Sequence, residues 1–181
     1  MLSTRMVKPE VWMLAALLAA VAGWTDWRSR RIPNWLTVPG LLLGIAANAL
    51  AGGWSGAKDS LLGVALGFGL LLPFALIKSL GMGDLKLVTA LGGFLGPQRL
   101  LLVLFVAVLV NGLMALVLVI WKKRVRQTLR NLGHMLAALF SFHLPGPQLT
   151  LENPESLKVP FGVAVAVAVI LYTVRQAWGV S

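Results

Sequence analysis

The chain has no cysteine, and among its 181 residues six are acidic, two are histidine and one is tyrosine. Without cysteine there are no disulfides, no thiolate zinc sites and no cysteine nucleophile, and the redox compartment stays undetermined. The histidines, His134 and His143, lie far in sequence from Asp26 and Asp84, so neither a metal nor another cofactor is expected. No Gly-x-Ser-x-Gly turn occurs. Lys78 and Ser79 are neighbours and would point in different directions on a helix, so a serine mechanism fits poorly. Charge is also scarce. Asp, Glu, Lys and Arg make up 12% of the chain, about half of what a soluble domain carries.

Hydrocarbon takes the place of charge: the chain is 58% hydrophobic, with a mean hydropathy of +0.84. The apolar residues come in long runs, which points to an all-α, polytopic integral membrane protein. A net charge of +10 could suggest nucleic acid. The basic residues, however, sit in short stretches between apolar runs, a pattern of membrane topology and anionic-lipid contact. Nucleic acid is therefore not an expected partner.

Six apolar segments predict about six transmembrane helices: Val11 to Trp24, Trp35 to Leu50, Leu61 to Leu80, Leu85 to Leu95, Leu100 to Trp121 and Val159 to Trp178. The fourth, at about 1.5 Å per residue, is too short to span alone. It must be buried among other helices or use the polar residues at its ends, and Gly92, Gly93 and Gly96 favour burial. Residues 1–24 resemble a signal peptide, but no small-x-small site precedes a polar region, so a retained first helix is expected. Trp24, Trp27, Trp35, Trp121 and Trp178 at segment ends read as an aromatic belt. Most basic residues, among them Arg28, Arg30, Arg31, Lys122 and Lys123, follow the first, third and fifth segments. That asymmetry puts those loops in the cytoplasm and both termini outside.

One membrane domain over residues 1–181 is expected, with a cytoplasmic loop over about 122–158. Within it, Val125, Leu129, Leu132, Leu136 and Leu139 have the spacing of an amphipathic surface helix. A polar extension of the fifth helix fits equally well. No internal repeat of the kind seen in inverted-repeat transporters is evident.

Of the acidic residues, Glu10, Asp59, Glu152 and Glu155 sit in flanks and loops and read as solvated charges; Asp59 falls in a short Gly- and Ser-containing loop. Asp26 and Asp84 border apolar spans on the expected cytoplasmic side. A carboxylate at membrane depth costs a few kcal/mol and is a functional candidate. Asp84 could instead cap a helix, and Asp26 could pair with Arg28 or Arg30. Two neighbouring carboxylates can also share one proton, the ionised one taking a proton from water while the other polarises a carbonyl.

The stretches WTDWRSRRIPNWL (24–36) and GMGDLKL (81–87) resemble the two signatures of the prepilin peptidases, membrane aspartyl proteases with a Gly-x-Gly-Asp motif. KVPFG (158–162) is similar to the opening of that family's last helix. The resemblance implies that Asp26 and Asp84 are the catalytic pair, and that Gly81 and Gly83 shape the loop presenting Asp84. There glycines tolerate positive φ and close approach; a plain turn remains the alternative. Pro33 and Asn34 read as the turn into the second helix, with Asn34 capping. Lys86 on a helix would point away from Asp84 toward headgroups, and on an extended loop would lie beside the pair. Pro160 and Gly162 are supporting candidates.

Longer members carry a cysteine-containing methylating domain. With no cysteine here, the resemblance implies the short, peptidase-only form of Flp- or Tad-type systems or of preflagellin peptidases. It further implies a multi-pass protein of the cytoplasmic (inner) membrane, whose partners are lipid and a prepilin-like substrate with a short basic leader. A proton- or ion-coupled transporter and a non-catalytic pilin-binding scaffold are the competing readings.

Overall fold

A computed structural model describes residues 9–77, 80–122 and 159–178. They form four helices: α1 (Pro9–Ser29), α2 (Asn34–Leu76), α3 (Met82–Trp121) and α4 (Phe161–Ala177). No strand occurs among the described residues. The amphipathic helix expected within 125–140 lies outside them, as do Lys78, Ser79, His134, His143, Glu152 and Glu155.

A straight helix of 43 residues, the length of α2, would reach about 65 Å, twice the hydrocarbon thickness of a bilayer. Neither long helix is straight. α2 breaks at Gly53 (φ 61°) and α3 at Gly96 (φ 69°), a backbone region that glycine enters without steric cost. Both then fold back on themselves. Gly56 packs against the Asn48 carbonyl within α2. A Cβ on Gly67 would stand 3.1 Å from both the Val88 carbonyl and the Leu100 side chain, residues that a straight α3 would hold about 18 Å apart. The result is six helical arms matching the six apolar segments. The loop expected around Asp59 is instead helix: one glycine makes the turn, and Asp59 is an exposed residue of the second arm of α2.

Small residues bring the arms together. Thr37, Gly40, Gly44 and Asn48 form a buried stripe at intervals of about four on the first arm of α2, and Ser60, Gly63 and Gly67 continue it on the second. Gly63 and Gly92 meet backbone to backbone. The first arm of α3 is gripped between them, with every residue from Leu87 to Gly96 buried, as a segment too short to span alone requires.

The break in α3 is stitched by α2. Pro97 has no N–H to give the Gly93 carbonyl, and an uncompensated carbonyl in an apolar interior is costly. Asn48 Nδ2 donates to that carbonyl and to Phe94 O, each at 2.9 Å, and Ser60 Oγ donates to Gly93 O at 2.7 Å.

This folding sorts the chain ends. The C-terminus of α1 and the N-termini of α2, α3 and α4 gather at one end of the bundle. The Gly53 and Gly96 turns lie at the other, where Arg99 stands over the Trp12 ring and Trp12 stacks on Tyr172 at 4.8 Å. The outer surface is apolar: Phe105, Leu109, Leu113, Leu116 and Ile120 of α3 are all exposed. α2 and α3 are long and apolar enough to cross a membrane, and α4 is a shorter apolar helix. The architecture is that of an all-α, membrane-type protein.

Candidate active site

α1 ends on a tight turn. Arg30 takes positive φ (54°), its N–H donates to Asp26 O at 2.9 Å, and Ser29 Oγ donates to Thr25 O at 2.7 Å. A non-glycine residue in this conformation costs about 1–2 kcal/mol. The turn leaves Asp26 one turn inside the helix end, buried at 7% exposure. Pro33, at extended φ and ψ, then starts α2.

Asp26 is held from across the bundle. Gly162 N donates to its Oδ2 at 2.8 Å, and the neighbouring Val163 amide acts on the same carboxylate. These are amides of the first turn of α4, whose N-cap is Pro160, with no side-chain cap of its own. Arg30 is close enough for its charge to act on Asp26.

Asp84 occupies the third position of α3, after the N-cap Gly81. Its carboxylate accepts the Gly81 N–H while its own N–H donates to Gly81 O at 3.1 Å, a reciprocal arrangement like a capping box. Asp26 and Asp84 are close enough to feel one another's charge. Both line a cavity of about 360 Å³, together with Arg30, Arg31, Ile32, Asn34, Gly81, Met82, Gly83 and Lys86.

Four expectations change. Gly81 and Gly83 do not form a loop with positive φ: Gly81 is an extended N-cap (φ −68°) and Gly83 is helical. Close approach explains them better, because a Cβ on Gly81 would stand 3.0 Å from Asp84 Oδ2, and one on Gly83 3.2 Å from Ile32 Cβ. Asn34 does not cap α2. Its Oδ1 accepts from Lys86 Nζ at 2.9 Å, and the cap position belongs to Pro33. Lys86 is helical yet does not turn to the headgroups, because its long stem reaches Asn34 and brings it to the cavity. The alternative of Asp84 as a cap is half met, since it bonds the cap's N–H from inside the helix.

Arg31 entered the sequence reading only as a topology charge, and Arg30 as that or as a partner of Asp26, yet both line the cavity. Their place four and five residues after Asp26 was the available signal. Gly162 meets Asp26, whereas Pro160 serves as the N-cap of α4, and the small residue is required: a Cβ on Gly162 would stand 2.9 Å from Oδ2 and 3.0 Å from Cβ of Asp26. Among the described residues no three or more His, Cys, Asp or Glu side chains gather as a metal site.

Residues 12–116 match the model of the type IV leader peptidase family. Curated relatives include the prepilin leader peptidase/N-methyltransferase of Xanthomonas campestris pv. campestris, 32% identical over 132 residues, covering 69% of this chain and 45% of that protein. Proteins of the same name from Aeromonas hydrophila and Burkholderia pseudomallei are each 34% identical, covering 60% and 63% of this chain and 38% of their own length. The chain thus spans less than half the length of these relatives. No solved structure matches it significantly. More than half of the sequence, including both aspartate motifs, lies within the matched region, and the chain belongs to the type IV leader peptidase family.

Proposed function

We propose that the protein is a membrane aspartyl endopeptidase that removes the short basic leader of prepilin-like or preflagellin-like substrates at the cytoplasmic face. The observation that carries this reading is the convergence of Asp26 and Asp84 on one cavity. The six arms are six spans of a single membrane domain in the cytoplasmic membrane, with both termini outside. In support, Arg28, Arg30, Arg31, Lys86 and Lys122 stand at the cavity end, while Lys58, Arg99 and Arg175 stand at the other. The curated relatives carry the name prepilin leader peptidase, and that name supports the substrate class.

In this mechanism one carboxylate is ionised and takes a proton from a water. The water oxygen attacks the scissile carbonyl carbon, and the protonated partner hydrogen-bonds the developing oxyanion. Proton return to the leaving amine completes the cleavage. Gly81 and Gly83 keep side chains away from the approach to Asp84, so an extended substrate backbone can lie beside it. No cofactor takes part.

One observation favours a second reading, the scaffold: both carboxylates bond helix N-terminal amides, as capping groups do. The test is incubation of the chain, reconstituted in lipid vesicles, with a prepilin-like substrate, followed by mass analysis of the product N-terminus. Loss of the leader supports the peptidase. Binding of an uncut substrate supports the scaffold.

A further inference from the structure

Every helix begins with amides that lack a partner inside it. In α4 the Gly162 amide is buried, and the N-cap is a proline with no hydroxyl or carboxyl to offer. Asp26, on another helix and 136 residues away in sequence, fills the role, accepting from Gly162 at 2.8 Å with the Val163 amide acting on the same carboxylate. Both parties gain: the Gly162 amide finds an acceptor, and the carboxylate finds a fixed donor and the positive end of the α4 dipole. Among the described residues Asp84 has no such anchor from another helix, and the Gly81 amide of its own first turn acts on it instead. The two carboxylates at the cavity are therefore held differently.

We propose that the first turn of α4 positions Asp26 for the reaction, with Gly162 as the positioning residue. The inference rests on the carboxylate-pair reading above and adds an asymmetry to it. Gly162 does two things at once. Its N–H fixes Oδ2, and its missing Cβ leaves the space the carboxylate occupies. Three residues before Asp26, Gly23 packs against Ala166 of α4, where a Cβ would stand 2.8 Å from the Ala166 Cβ. α1 and α4 thus meet through two glycines, and only one of them touches the carboxylate.

That pair supplies the test. In vesicles with a prepilin-like substrate, Gly162→Ala pushes on the Asp26 carboxylate and is expected to lower kcat by about tenfold or more with KM within about twofold. Gly23→Ala crowds the same helix pair without touching Asp26 and is expected to lose less than about threefold. Equal losses in the two variants mean simple packing and overturn the proposal, as does an unimpaired Gly162→Ala beside an inactive Asp26→Asn. Full activity in Asp26→Asn overturns the carboxylate-pair reading and the positioning with it.

A second measurement does not depend on cleavage. In glycine-15N-labelled protein in micelles, the Gly162 amide resonance should move as the Asp26 carboxyl titrates and lose that response in Asp26→Asn. A Gly162 resonance indifferent to the Asp26 substitution overturns the proposal whatever the activity.

Discussion

Lys86 and Asn34 close one side of the cavity: Nζ of the first stands 2.9 Å from Oδ1 of the second. The bond ties the start of α3, which carries Asp84, to the first residue of α2. It is exposed, so its direct worth to stability is about 1 kcal/mol or less. Its effect should therefore appear in activity. Lys86→Met and Asn34→Ala are each expected to slow cleavage several-fold, and the double variant should be no slower than the worse single one, because either change removes the same link. Rates that multiply in the double variant would show that the two residues act separately.

Asn48 is expected to matter for stability rather than for turnover. With Pro97 unable to donate, Gly93 O depends on Asn48 and Ser60, and Asn48 serves Phe94 O as well. Asn48→Leu should cost about 1–2 kcal/mol, toward the upper end of measured intramembrane hydrogen bonds, because it removes two bonds to buried carbonyls at once. Ser60→Ala should cost less, since Asn48 still reaches Gly93. Thermal unfolding in detergent measures both.

Two glycines should respond with opposite signs. A Cβ at Gly63 would run into the Gly92 carbonyl, whereas one at Gly112 meets nothing within 4 Å. Gly63→Ala is therefore expected to be strongly destabilising. Gly112→Ala, on a helix face without neighbours, should be neutral or stabilising by up to about 1 kcal/mol through helix propensity. The same unfolding assay decides.

The arms of the fold were legible in the sequence because a bilayer demands apolar runs of a set length, and the burial of the short arm at Leu87–Gly96 followed from its length and glycines. The turns were harder to read. Gly53 lies amid Gly, Trp, Ser and Asp residues that look like a loop, yet a single positive φ makes the bend and the rest stays helical. Asp26 and Asp84 stood out by their place at the ends of apolar spans and by motif resemblance, and both line one cavity. The Asp26–Gly162 bond could not be read from spacing, because it joins distant helices through a backbone N–H that leaves no side-chain pattern. The direction of Lys86 depended on Asn34, whose amide a sequence reading assigns to capping for good local reasons.

The central claim is that Asp26 and Asp84 act as a carboxylate pair. Asparagine keeps the shape of each side chain and its capacity to accept an amide N–H, but cannot exchange a proton. The most direct measurement is the initial rate of leader removal from a prepilin-like substrate by the native chain, Asp26→Asn and Asp84→Asn at matched membrane levels and matched melting temperature. We expect each variant to lose a factor of about 10² to 10⁴ or more in rate with its fold intact. Full cleavage by either variant would contradict the account and leave that aspartate a helix cap.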